Sequence, residues 1–147
     1  MHFANILVGS DGTSLMEVVF DECAYLAQLM GATIHVACVL DITGFGTQPV
    51  DASWEETYVI FKSEGRRILD AARDALVKRG VAEASIIDVL LEGHPAEELD
   101  AYARGHAIDL IVVGTHGRKG LDRLLIGSVT DKVIRTASVP VMVVHCA

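Results

Sequence analysis

The chain is poor in aromatic residues, in cysteine and in positive charge. Phe, Trp and Tyr make up 5% of its 147 residues although 51% are hydrophobic. The core is therefore expected to be Val, Ile, Leu and Ala, with no aromatic surface for stacking bases. Cys23, Cys38 and Cys146 form an odd set without a CxxC spacing, which indicates neither a disulfide framework nor a zinc site. Cys23 shares a helical face with Val19, Leu26 and Met30, and Cys38 lies in an apolar run; both read as core. Twelve Lys and Arg against twenty Asp and Glu leave a net charge of −8, which argues against a general nucleic-acid binder. No apolar run approaches the roughly 20 residues that cross a bilayer, and no basic segment leads into a long apolar one at the start. The expectation is a soluble, cytoplasmic protein without membrane insertion, and at this length a single domain over 1–147. Two familiar nucleotide loops are also missing. Lys119 follows Arg118 rather than a glycine, so there is no Walker A motif, and Gly44-Phe45-Gly46 lacks the third glycine of a dinucleotide fingerprint. Internal repeats, low-complexity tracts and histidine pairs at metal-ligand spacing are absent as well.

What is present is a regular alternation. Five hydrophobic runs, Asn5 to Val8, Thr33 to Leu40, Ser85 to Leu91, Leu110 to Val113 and Pro140 to His145, are separated by helical patterns near Ser14 to Met30, Ser53 to Arg79, Pro95 to Arg104 and Ser128 to Thr136. Most runs are apolar without strict alternation, as parallel strands covered on both faces are. The spacing predicts an α/β fold: a Rossmann-like three-layer domain with a five-stranded parallel sheet, strand order 3-2-1-4-5, and helices on both faces. In the long second helix Tyr58, Phe61, Ile68, Leu69, Ala72 and Leu76 fall on one side. Gly31 and Gly80 suit C-terminal caps, and Pro95 suits a first helical position, with Glu97 and Glu98 complementing the dipole. The 41–52 segment is long for a strand-to-helix loop; a mobile lid and an idle loop both fit it.

Function is read from the stretch Gly114-Thr115-His116-Gly117 and, nine residues after Gly117, Gly127-Ser128-Val129-Thr130. The run Leu110 to Val113 enters Gly114, so the first half sits at the carboxyl end of a strand, where open α/β sheets bind ligands. The second half opens a helix, whose first turn offers unpaired N–H groups and a positive dipole end to an anion. The Ser128 and Thr130 hydroxyls add donors. The predicted strand order opens a crevice between the first and fourth strands and sets Gly9-Ser10-Asp11 opposite Gly114. Asp11 reads as a ligand contact or as a turn and capping residue. His116 offers either its ring or only its backbone N–H. Residues 114–135 hold five basic side chains, Arg118, Lys119, Arg123, Lys132 and Arg135, against Asp122 and Asp131, a reversal that would attract a polyphosphate. The Arg118 guanidinium could contact a phosphate in fork geometry.

The Gly-x2-Gly-x9-Gly-Ser signature resembles that of the universal stress protein family, in its ATP-binding branch, and the likeness spans nearly the whole chain. Ile6-Leu7-Val8-Gly9-Ser10-Asp11-Gly12 is similar to the family's first strand and acidic turn, and Val39-Leu40-Asp41 to the end of the second strand. Gly93-His94-Pro95 resembles the turn before the third helix, and Ser138-Val139-Pro140-Val141-Met142-Val143-Val144 the closing strand. The resemblance implies that Asp11 and the Val39 backbone contact adenine and ribose, and that Val113 and Gly114 pack under the nucleoside. His116, Gly117, Gly127, Ser128, Val129 and Thr130 would line the phosphates, with a magnesium ion held mainly by phosphate oxygens. It also implies a homodimer formed through the last strand. Independently, Val139 to Val144 is apolar on both faces and predicted at a sheet edge, which invites pairing.

These readings lead to an ATP-binding stress-response protein acting as a nucleotide-dependent switch or sensor. Two alternatives stay open: a slow ATPase or phosphoryl or adenylyl transferase with His116 taking part, and an interaction module with a regulatory protein partner and incidental nucleotide binding. No general base with an orienting partner stands out. Trp54 and Tyr58, at helical spacing, read as packing rather than base stacking, and the remaining histidines are given no site role.

Overall fold

The computed structural model describes residues 2–42, 52–115 and 126–146. Five parallel strands, β1 Asn5–Gly9, β2 Thr33–Leu40, β3 Ile86–Glu92, β4 Leu110–Gly114 and β5 Val141–Val144, alternate with helices α1 Met16–Met30, α2 Ala52–Lys78, α3 Pro95–Gly105 and α4 Ser128–Thr136. The sheet order is β3-β2-β1-β4-β5, as the sequence predicts. The chain winds outward one way from β1 and the other way from β4, so these neighbours form the switch point of the sheet. Their register is Ile6↔Leu110, Leu7↔Ile111 and Val8↔Val112, while Gly9 pairs with Ala37 on the other side.

Two cores follow from the pleat. Ile6, Val8, Ile34, Val36, Cys38, Leu40, Leu110 and Val112 face α1 and α2 and pack with Val19, Phe20, Cys23, Ile68, Leu69, Ala72 and Leu76. Leu7, Ala37, Val89, Ile111 and Val113 face α3 and α4 and pack with Ala96, Leu99, Ala103 and Val133. Covered on both sides, Ile6, Leu7, Val8, Ile111 and Val112 have no exposed surface. This is why the strands read as continuous apolar runs rather than alternating ones.

The helix signals act as expected. Gly31 takes the left-handed conformation (φ 64°) and caps α1, with Ala32 N–H reaching the Ala27 carbonyl at 3.0 Å. Pro95 opens α3 without a side-chain cap. Boundaries move where local geometry intervenes. Glu83–Ser85 wind into a short 3-10 turn, so β3 starts at Ile86 rather than Ser85. Pro140 lies outside β5 and contributes its carbonyl to Ile111 N–H at 2.9 Å.

At 27 residues α2 is about 40 Å long, against about 26 Å for the eight-residue β2. Its core contacts begin with half-buried Phe61 and tighten at Gly65, where a Cβ would stand 2.7 Å from Leu90 Cδ1. The turns before Phe61 therefore project past the carboxyl ends of the strands. Tyr58, on this extension, donates its hydroxyl to Glu92 at the end of β3, and its ring lies 6.0 Å from that of Trp54. The outer side of α2 is charged as expected, but Val59 and Ile60 are exposed there too.

Candidate functional site

The crevice at the β1/β4 switch point is built first from the turn after β1. Gly9 lets α3 close on the strand end, since a Cβ there would meet Leu99 Cδ1 at 3.3 Å. Ser10 is buried and its N–H continues the ladder to the Ala37 carbonyl at 2.8 Å. Asp11 Oδ1 then accepts from Thr13 N–H at 2.9 Å and from the Thr13 hydroxyl at 2.8 Å, an Asx turn. Gly12 completes it with φ +80°, pressed against Ile68 of α2. Asp11 is thus a turn residue through one oxygen. Oδ2 accepts no hydrogen bond from a described residue, which leaves an acceptor at the mouth of the crevice.

The opposite wall is anchored by Thr115, a residue that no motif singles out between Gly114 and His116. Its N–H donates to the Val144 carbonyl (3.0 Å), its carbonyl accepts from Gly127 N–H (2.7 Å) and its hydroxyl accepts from Cys146 N–H (2.9 Å). Three chain segments meet on this one buried residue. The Thr130 hydroxyl, offered to a phosphate on sequence grounds, is instead donated to the Gly114 carbonyl, and Thr130 is buried. The backbone N–H of Thr130, in the first turn of α4, is what remains without a partner inside the helix. Gly127 is the N-cap of α4, its carbonyl accepting from Asp131 N–H at 2.9 Å, and no side chain caps this end. The first-turn N–H groups of Ser128, Val129 and Thr130 have no partner within a helix, and the Ser128 and Val129 side chains are exposed.

Of the other expected contacts, Val113 is buried in the core beneath α3 and α4, and half-buried Val39 packs against the same core two residues beyond Ala37. They lie on the two strands that flank β1. His116, Gly117 and Arg118, with residues 43–51 of the loop after β2, lie outside the described residues. Part of the basic reversal is compensated locally: Lys132 pairs with Glu97 at 3.1 Å and Arg135 with Asp131 at 3.0 Å. Among the described residues no group of three His, Cys, Asp or Glu is placed to hold a metal, and no helix is long and apolar enough to cross a membrane.

A polar cluster sits at the other end of the sheet. Buried His35 in β2 meets the Tyr102 hydroxyl through Nδ1 at 2.8 Å and Asn5 Oδ1 through Nε2 at 3.1 Å. The His106 ring stacks on Tyr102 at 3.8 Å. Burial, with the nearby His106 adding to it, lowers the His35 pKa. The strand pattern alone gives no sign of this cluster, because its four members are scattered in sequence.

The chain is similar to proteins of one kind. The profile of the universal stress protein family matches residues 2–145. Universal stress protein MJ0531 of Methanocaldococcus jannaschii is 33% identical over 142 residues, covering 97% of this chain and 82% of that one. Among solved structures, the protein MJ0577 superposes with a TM-score of 0.84 at 24% identity, covering 99% of this chain and 97% of that one. A universal stress protein from Archaeoglobus fulgidus in complex with dAMP gives 0.68 at 24% identity, covering 97% and 98%. With Gly114 and the Gly127-Ser128 helix start at the switch point and a match that runs almost end to end, the chain belongs to the universal stress protein family.

Proposed function

We propose that this chain binds ATP at the β1/β4 crevice and acts as a nucleotide-dependent switch or sensor in the stress response, by binding rather than turnover. The observation that carries this reading is the pairing, on adjacent strands, of the Asp11 turn with the uncapped amino end of α4. A carboxylate oxygen without a described partner suits the hydroxyls of a ribose or the edge of a base, and unpaired helix N–H groups suit a phosphate. The structural relative bound to dAMP supports an adenine nucleotide as the ligand class. The third phosphate is the finer part of the proposal, and in it Arg118 and His116 join Gly127 to Thr130 on the phosphates.

A magnesium ion fits only as a companion of the phosphates, because the described residues provide no carboxylate cluster to hold it alone. Bound there, it would neutralise phosphate charge. The proposal includes a cytoplasmic homodimer joined through Val139 to Val144 and a regulatory protein that reads the nucleotide state. β5 is an edge strand, with Val143 36% exposed.

The test is to denature freshly purified protein, identify released small molecules by mass, and titrate ATP, ADP and AMP with and without magnesium. ATP recovered near one per chain, and affinity falling at least tenfold in Asp11→Ala, are the expected results. Equal affinity for AMP and ATP would remove the triphosphate from the reading, and no binding of any adenine nucleotide would overturn it.

A further inference from the structure

The uncapped amino end of α4 has a cation one turn behind it. Lys132 stands four positions after Ser128, so the two share a stripe of the helix, and long side chains lean toward a helix's start. A lysine stem spans a turn of about 5.4 Å, which lets Nζ reach the level of the first-turn N–H groups. Of the basic residues in 114–135, the described part of the chain holds Lys132 and Arg135. Arg135 is in the last turn and pairs with Asp131 of its own helix at 3.0 Å. Lys132 instead crosses to a neighbouring element.

Its partner is Glu97, in the first turn of α3, at 3.1 Å. Both helices start at the carboxyl edge of the sheet, α3 just after β3 and α4 tied to the end of β4 through Thr130 and Gly114. Leu99 of α3 packs where a Cβ of Gly9 would stand, so the start of α3 borders the crevice. The pair is open to water, with the Lys132 side chain 48% exposed and that of Glu97 59%. An exposed pair of this kind contributes little to folding and is given up at little cost. It lies beside the one described helix start that the signature marks for an anion.

We propose that Lys132 is a further phosphate ligand of the nucleotide site, held by Glu97 in the free protein and transferred to the phosphates when ATP binds. This rests on the ATP reading above and adds to it the group that weights the crevice toward a longer phosphate tail. Two anions compete for one ammonium. A polyphosphate wins because it carries more charge than one carboxylate and meets the helix N–H groups in the same place. The ammonium, a point charge on a flexible stem, follows it. AMP brings less charge and draws Lys132 less. Glu97 lowers the affinity in two ways, by repelling the phosphates and by holding the cation they need.

Titration of ATP and AMP into the full chain and its variants tests the exchange. Lys132→Met should weaken ATP binding roughly tenfold or more and AMP binding at most threefold, while Lys132→Arg stays within about threefold of the parent. Arg135→Met removes the same charge from the same helix and should cost at most about threefold. Glu97→Gln should tighten ATP binding at least threefold, and by less in the Lys132→Met background. These side chains are exposed, so the denaturant midpoints should match the parent's. An ATP affinity unchanged in Lys132→Met, a loss equalled by Arg135→Met or by Lys132→Arg, or an equal loss for AMP would overturn the assignment of Lys132 while the parent still binds ATP. The same gain from Glu97→Gln in both backgrounds would overturn the exchange, leaving repulsion alone. A parent that binds no adenine nucleotide would instead remove the reading of the crevice itself.

Discussion

The Thr130 hydroxyl donates to the Gly114 carbonyl at 2.5 Å, closing a sixteen-residue span and fastening the first turn of α4 to the end of β4. Both groups are at the candidate phosphate seat, so the bond sets where the helix N–H groups stand. Thr130→Val keeps the shape and removes the donor. It should destabilise the fold by about 1–3 kcal/mol through the unpaired carbonyl and weaken nucleotide binding, with Thr130→Ser restoring most of both. Urea unfolding and ATP titration of the two variants check this; a Thr130→Val protein as stable as the parent would show that the bond contributes nothing.

Gly12→Ala should be costly for two separable reasons. The position has φ +80°, and an added Cβ would lie 2.7 Å from Ile68 Cγ1. Backbone strain of about 1–3 kcal/mol adds to overpacking of similar size. Trimming the neighbour with Ile68→Ala, which removes both Cγ1 and Cδ1, should recover only part of the loss relative to Ile68→Ala alone, since the backbone term stays. Complete recovery in the double variant, measured by denaturant midpoint, would mean that packing alone matters there.

Acid should weaken the fold through His35. Its folded pKa lies below the ordinary 6.5 because burial, and then His106, disfavour the charged ring. The unfolded state therefore binds the proton more readily. The stability linked to His35 is complete above about pH 6.5 and is lost as the pH falls from there through the folded value. Facing the ring are the Tyr102 hydroxyl, His106 and Asn5; Asp109, beside Asn5, has its Oδ2 bonded to the amides of Ala4 and Asn5. His35→Gln should flatten the pH dependence of the thermal midpoint between about pH 7.5 and 5.5, and an unchanged slope would exclude His35 as its source.

The thiols should be silent in the native protein. All three are buried, and burial, with Glu22 adding to it, pushes the Cys23 pKa up to about 12, so its thiolate is scarce at neutral pH. Alkylation at about pH 8 is expected to modify none of the three until denaturant is added. Fast single-site labelling of native protein would point to an opening that exposes the α1 or β2 core.

Strand order and helix placement are legible because burial on both faces of a parallel sheet leaves continuous apolar runs, which Ile6 to Val8 and Leu110 to Val113 display. The glycine signature locates the crevice for a similar reason: glycines at strand ends and an uncapped helix start are local features. Side-chain direction is not legible. Thr130 has the look of a ligand donor until the Gly114 carbonyl stands beside it, and Thr115 the look of filler until Val144, Gly127 and Cys146 converge on it. These are long-range pairings, which periodicity does not encode. Asp11 admits two readings in sequence, and the turn it makes engages only one of its carboxylate oxygens.

The pairing of Ile6 with Leu110 has a consequence for synthesis. β1 and β2 can pair as soon as both have left the ribosome, but the wall opposite Asp11 is made by the last part of the chain. A nascent polypeptide with half a sheet lacks that wall. The crevice comes into being only when the distant strand docks, so any ligand it holds selects chains in which β4 has joined the sheet and leaves earlier ones untouched.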